Sequence, residues 1–154
     1  MRVLITGGLG FIGGRLAQYL LEAGHQIIIG SRKISNPPTW LVQAEVETIK
    51  WNDDIALENS CNGVDIVIHA AGMNAQDCLS DPISALEFNG YGTLKLLEAA
   101  IRAKVSKFIY LSTAHVYSSP LLGTITEESR PTNPHPYATS HLAGDQAVDS
   151  ANRA

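Results

Sequence analysis

Short apolar runs alternate with stretches of helical apolar spacing along this chain. The runs predict strands at residues 2–6, 26–30, 45–51, 65–70 and 107–112. The helical spacing predicts helices at 11–23, near 55–61, at 82–104 and from Tyr137 onward. Strands and helices in alternation imply parallel strands joined by right-handed crossovers, so the class is α/β, a doubly wound parallel sheet with strand order 3-2-1-4-5. Ligands of such sheets bind beyond the carboxyl ends of the strands.

The first strand–helix junction carries chemistry. Between the strand at 2–6 and the helix at 11–23 the chain reads Thr6-Gly7-Gly8-Leu9-Gly10-Phe11-Ile12-Gly13, with glycines 8, 10 and 13 in G-x-G-x-x-G spacing. One glycine permits the tight turn, one lets backbone amides approach phosphate oxygens, and one lets the helix pack closely on the strand. The helix start adds partial positive charge and unsatisfied N–H groups. Alone such a triplet could be a flexible turn. Inside a strand–turn–helix it predicts a dinucleotide site of Rossmann type, with Gly7, Gly10, Phe11, Ile12 and Gly13 at the pyrophosphate.

Composition agrees with one domain: 154 residues, 45% of them hydrophobic, are enough to bury a sizeable core. Net charge is -4 and the eleven Lys and Arg residues are scattered, which argues against a nucleic-acid partner. Cys61 and Cys78 lie far apart with no ligand-type spacing, so neither a metal site nor a disulfide framework is expected. A first strand starting next to Met1 and the lack of a long apolar run point to a cytoplasmic protein with no membrane partner. No repeat or low-complexity segment stands out, and the Pro-rich stretches near 37–38 and 131–136 read as loops.

The motifs in order resemble the extended short-chain dehydrogenase/reductases, the group containing NAD-dependent sugar-nucleotide epimerases and dehydratases. They are Thr6-Gly7-x-x-Gly10-x-x-Gly13, His69-Ala70-Ala71-Gly72, Asn89 with Gly92-Thr93, Ser112-Thr113-Ala114-His115-Val116-Tyr117, and Tyr137-Ala138-Thr139-Ser140. The resemblance covers the whole chain. It implies hydride transfer at a secondary alcohol or ketone of a small-molecule substrate such as a nucleotide sugar. Ala70, Ala71 and Gly72 would pass along the cofactor, and Asn89 would help fix the central helix and the active-site region. His69 and His115 read as packing or hydrogen-bonding residues, since no metal-type spacing accompanies them. Proteins of this group continue for a comparable length into a substrate domain, so the chain is expected to be a truncated cofactor-binding portion. A second copy is a candidate partner for an exposed apolar edge.

The end of the second strand bears on the cofactor. NAD-binding members place an acid there, and this chain has Ser31-Arg32-Lys33 instead. Ser31 and Arg32, with Lys33 as a third contributor, could accept a 2'-phosphate, so NADP is expected ahead of NAD. The competing reading makes Arg32 and Lys33 ordinary solvated charges. Trp51, after the third strand, is assigned to the adenine end, with core packing as its alternative.

For catalysis the resemblance implies Tyr137 as acid/base and Thr113 as hydrogen-bond donor to the reacting oxygen, with Ser112 as a substitute. The group's lysine, four residues after the tyrosine, is His141 here. His141 lies at i, i+4 from Tyr137, and its protonation is expected to set the pH optimum. A non-catalytic dinucleotide-binding or redox-sensing module, or an inactive fragment, is the alternative to an enzyme.

Overall fold

The computed structural model describes residues 1–33 and 36–153. The chain divides into two compact units, Met1–Ala71 with Lys95–Leu111, and Gly72–Leu94 with Ser112–Ala154.

The first unit holds the whole sheet. Strands β1 (Arg2–Thr6), β2 (Gln26–Ser31), β3 (Glu45–Thr48), β4 (Ile66–His69) and β5 (Lys107–Tyr110) are all parallel, in the order β3-β2-β1-β4-β5. This is the predicted order. Helix α1 (Phe11–Glu22) packs on one face, where Val3, Ile5, Ala17, Ile27, Ile29 and Leu41 form a buried cluster. On the other face α2 (Asp54–Cys61) brings Leu57 and Cys61 against Leu4, Ile28, Ile49 and Val67. Central strands covered on both faces lose polar alternation and become continuous apolar runs, as residues 3–5 and 27–29 do.

Strand ends depart from expectation where a side chain offers a better partner. The third strand stops at Thr48 because residues 50–53 turn, the Asp53 amide bonding to the Lys50 carbonyl, and Asp53 then caps α2 by accepting from the Ala56 amide at 3.0 Å.

The second unit contains α3 (Ala75–Ser80), α4 (Pro82–Ala85), a π-helical segment Leu86–Gly92, a short 3-10 turn Ala114–Val116 and α6 (Pro136–Asn152). Helix α5 (Thr93–Arg102) continues directly from the π segment, so the predicted helix at 82–104 is one run with a widened middle. That widening sits where Gly90 meets α6: a Cβ on Gly90 would stand 3.1 Å from the Ala143 methyl. π segments of this kind recur at functional sites. Lys104 follows the helix at φ 60 and the Val105 amide bonds back to the Ala100 carbonyl, a stop made with lysine in place of glycine. Helix α3 was not expected; Asn74 starts it by accepting from the Asp77 amide at 2.9 Å. Among the described residues no helix is long and apolar enough to cross a membrane.

Candidate functional site

In the first unit the site is made of backbone. Gly7 has φ 70, and a Cβ there would lie 2.7 Å from the Ala70 oxygen and the Ala71 nitrogen. A Cβ on Gly13 would collide with the Gly7 carbonyl. Glycine at both positions therefore lets the turn, the start of α1 and the end of β4 close on one another. Gly7, Gly13, Ala70 and Ala71 are thereby brought close together.

The start of α1 is chemically distinct. Asp53, Asn74, Asp81 and His135 cap the N-termini of α2, α3, α4 and α6 with their side chains. Helix α1 begins at Gly10 with no side-chain cap and no acid in its first turn. Its first amides keep their capacity for an anion, while Phe11 and Ile12 are exposed beside them and the Arg15 guanidinium lies 4.6 Å over the Phe11 ring. These residues fit a dinucleotide pyrophosphate.

Deeper in the same unit His69 is 1% exposed and its Nδ1 shares a hydrogen bond with the Thr6 hydroxyl at 2.6 Å. The Ala71 amide donates to the same Thr6 oxygen at 3.4 Å, so the buried histidine helps hold the strand end that faces Gly7. His69 stacks on Tyr110 at 5.5 Å and lies 5.7 Å from the Trp51 ring. Trp51 is half-buried against the core cluster, with its carbonyl accepting from Lys95 at 2.8 Å. Ser31 closes β2, and Arg32 and Lys33 follow it, both exposed.

The site in the second unit is made of side chains. Asn89, 1% exposed in the π segment, accepts from the Met73 amide at 2.8 Å and donates to the Ser140 hydroxyl at 3.0 Å and to Cys78 Sγ at 3.5 Å. Ser140 in turn donates to the Tyr137 carbonyl at 3.1 Å. The bonds tie the segment after Gly72 to α6. From sequence Ser140 appears only as the end of the Tyr137 motif and Cys78 only as an isolated cysteine, with no role for either in holding Asn89. A serine immediately before His141, on the helix face that turns inward, was the available signal.

Tyr137, second in α6, is partly buried, its ring meeting His141 edge-on at 4.6 Å. His141 is 5% exposed, and burial pushes its pKa down from 6.5 to about 4. The ring is neutral at every physiological pH, further from a cation than the residue type alone implies. Gly72 lies against it: a Cβ there would be 3.3 Å from His141 Cε1. Thr113 is partly buried and its hydroxyl oxygen accepts from the His115 amide at 3.2 Å. Ser112 donates to the Asp145 carboxylate at 2.6 Å, so its hydroxyl is engaged. Neither cysteine is a nucleophile at neutral pH, since burial raises Cys78 and lifts Cys61 to about 11. Among the described residues no group of His, Cys, Asp and Glu could hold a metal ion.

A parallel sheet of this order with an uncapped, glycine-built helix start defines a dinucleotide-binding α/β protein. Residues 3–154 match the NAD dependent epimerase/dehydratase family, and the chain belongs to that family. It is 32% identical to the UDP-glucose 4-epimerase of Yersinia enterocolitica over 96% of its own length and 48% of that protein. Among solved structures it is similar to the dTDP-glucose 4,6-dehydratase DesIV of Streptomyces venezuelae with NAD bound. That likeness has a TM-score of 0.88 and 27% identity, covering 99% of this chain and 52% of the other. The UDP-glucose 4-epimerase of Thermotoga maritima, solved with UDP-glucose, gives a TM-score of 0.87 at 27% identity, with coverage of 99% and 52%. The chain thus spans about half the length of the relatives it matches.

Proposed function

We propose that this chain is the cofactor-binding portion of an NAD(P)-dependent epimerase or dehydratase acting on a nucleotide sugar. The uncapped start of α1 behind Gly7 and Gly13 carries the reading, and the family match and the substrates in the relatives' names support it. A bound nicotinamide dinucleotide would accept or supply the hydride at the sugar carbon. The amides of Phe11 and Ile12 hold the pyrophosphate, Gly10 giving its own amide to the Gly7 carbonyl at 2.8 Å, and Ala70, Ala71 and Gly72 line its path. Ser31 and Arg32 receive the adenosine end, and with no acid after β2 they favour NADP over NAD. Thr113 hydrogen-bonds the reacting oxygen and Tyr137 carries its proton.

The chain's own residues make the proton step demanding. Bringing a phenol from about 10 to 7 requires about 4 kcal/mol. A lysine ammonium about 5 Å away supplies roughly 3 kcal/mol of it at an effective dielectric near 20. Neutral His141 supplies no such charge. Turnover should therefore show no step at the histidine across the neutral range. His141→Lys should raise turnover at pH 7 by about tenfold to a hundredfold, the larger figure corresponding to that charge term. An unchanged rate and profile would overturn the role given to Tyr137.

The same neutral ring favours a second reading, a dinucleotide-binding module without turnover. Fluorescence titration of Trp40 and Trp51 with NADP and NAD tests binding, and reduced-nicotinamide absorbance after adding UDP-glucose or dTDP-glucose tests chemistry. Absence of saturable binding by both dinucleotides removes both readings. Binding without reduction by any nucleotide sugar leaves the second.

A further inference from the structure

Thr113 and Tyr137, the two groups given the proton chemistry, both belong to the second unit, with residues 114–136 between them. From the end of the 3-10 turn Ala114–Val116 to the start of α6 at Pro136, no helix or strand forms among the described residues. An irregular segment of that length sets the distance between its ends only if something ties them. The ties lie where the segment returns. The Thr132 amide donates to the Tyr117 carbonyl at 3.2 Å and the Asn133 amide to the Val116 carbonyl at 3.3 Å, so residues 118–131 leave and come back as a closed loop.

The Asn133 side chain then bonds in both directions. Its Nδ2 donates to the His115 carbonyl at 2.8 Å, and its Oδ1 accepts from the His135 amide at 3.0 Å. Only one orientation of the carboxamide satisfies both partners, since its nitrogen cannot accept and its oxygen cannot donate. Each bond leads on to one of the two groups. On one side the His115 amide donates to Thr113 Oγ1 at 3.2 Å, which occupies a lone pair and leaves the hydroxyl proton for a substrate oxygen. On the other, the Tyr137 amide donates to Nδ1 of His135, the cap of α6, at 3.1 Å. A nitrogen that accepts carries no proton, so the capping ring keeps its proton on Nε2. Four hydrogen bonds thus run from Thr113 to Tyr137, and the middle two belong to one amide.

We infer that Asn133 is a positioning residue for the reaction: its carboxamide brackets the turn that presents Thr113 and the helix start that presents Tyr137, and so sets the spacing between them. This rests on the reading that Thr113 and Tyr137 meet the reacting oxygen. The carboxamide bonds to neither of those side chains and takes no part in the proton step. Its effect is geometric. A misplacement of about 1 Å, even from a change remote from the chemistry, costs on the order of a hundredfold in rate.

The test uses the 154-residue chain and reads both ends of the bracket by amide hydrogen exchange, beside turnover with UDP-glucose or dTDP-glucose and dinucleotide titration. In Asn133→Ala the His115 and Tyr137 amides, neither of which bonds to Asn133, should both exchange about tenfold faster, while Ala147 and Val148 inside α6 keep their protection. Turnover should fall about tenfold to a hundredfold, with KM and dinucleotide affinity within about twofold of wild type. His135→Ala should free the Tyr137 amide and leave that of His115 protected. His135→Asn, which sets a strong capping side chain at the same place, should restore both protection and turnover. An unchanged His115 or Tyr137 amide in Asn133→Ala, or a loss of turnover matched by a loss of dinucleotide affinity, overturns the bracket. Full turnover in Asn133→Ala beside inactive Thr113→Ala and Tyr137→Phe overturns it too, and leaves the reading of those two residues intact. Wild-type turnover in Thr113→Ala and Tyr137→Phe, or none in the wild-type chain, overturns the reading beneath, and the positioning role falls with it.

Discussion

The two units bury different chemistry. In the first, the buried side chains are mostly Val, Leu and Ile packed on both faces of the sheet. In the second, among the described residues, no apolar residue larger than valine is buried; Cys78, Ala85, Val116 and Ala138 are the apolar members, beside Asn89, Thr93, Ser140 and His141. The first unit is therefore held by area, at roughly 25 cal/mol per Å², a force that has no direction and ignores pH. The second is held by directed hydrogen bonds, where leaving one buried partner unpaired costs about 1–3 kcal/mol. A site built from backbone on an apolar frame needs little besides glycines. A site built from buried side chains can change with a single atom or a proton.

The sharpest way to break the first half is to restore a missing methyl. Gly13→Ala should drive the turn off the Gly7 carbonyl, lower dinucleotide affinity at least about a hundredfold and cost about 3–4 kcal/mol of stability, as overpacking against backbone does. Titration with NADP and urea unfolding measure the two effects. Affinity within a few-fold of wild type would show that close packing at Gly13 is not what forms the site. Leu4→Ala, removing a fully buried side chain from the central strand, should cost about 3 kcal/mol. Its cost should be the same at pH 5 and pH 8, because the one titratable member of its cluster, Cys61, is lifted to about 11 by burial.

The parts legible in sequence are those set by spacing. Residues 3–5, 27–29 and 66–68 are apolar without interruption because both faces are covered, and that continuity with the intervening helices was enough for the strand order. The turn at Gly7 to Gly13 was legible because only glycine fits there. Asn89 was visible as an odd polar residue in a helix, but its bonds to Met73, Ser140 and Cys78 depend on residues up to 51 positions away. The π segment, the burial of His141 and the capture of Ser112 by Asp145 are likewise tertiary. Reference pKa values made a titrating His141 a reasonable expectation; the buried site moves it out of the neutral range.

Protons should discriminate between the halves next. His141 has a folded pKa of about 4 against an ordinary value of 6.5, so between these values the unfolded chain takes up a proton that the buried ring refuses. Stability from this group is complete above about pH 6.5 and is lost as pH falls toward 4, an amount of up to about 3 kcal/mol. Urea unfolding of wild type and His141→Gln at pH 7, 5.5 and 4 should show the two converging as acid is added. Parallel curves would mean that the ring is hydrated in the native state.

The smallest expected effect tests the hydrogen bond at the edge of the same unit. Ser112 donates to Asp145, whose pKa is raised by burial and drawn back by that hydroxyl. Removing the hydroxyl leaves the half-buried carboxylate with one donor fewer, so Ser112→Ala should cost about 1 kcal/mol at pH 7. The donor helps only the ionised form, so the cost should vanish as pH falls through the range in which Asp145 takes up its proton. A lost methyl group behaves differently, because its cost persists in acid. A pH-independent cost for Ser112→Ala would place this residue with the apolar packing of the first unit and remove the contrast at this position.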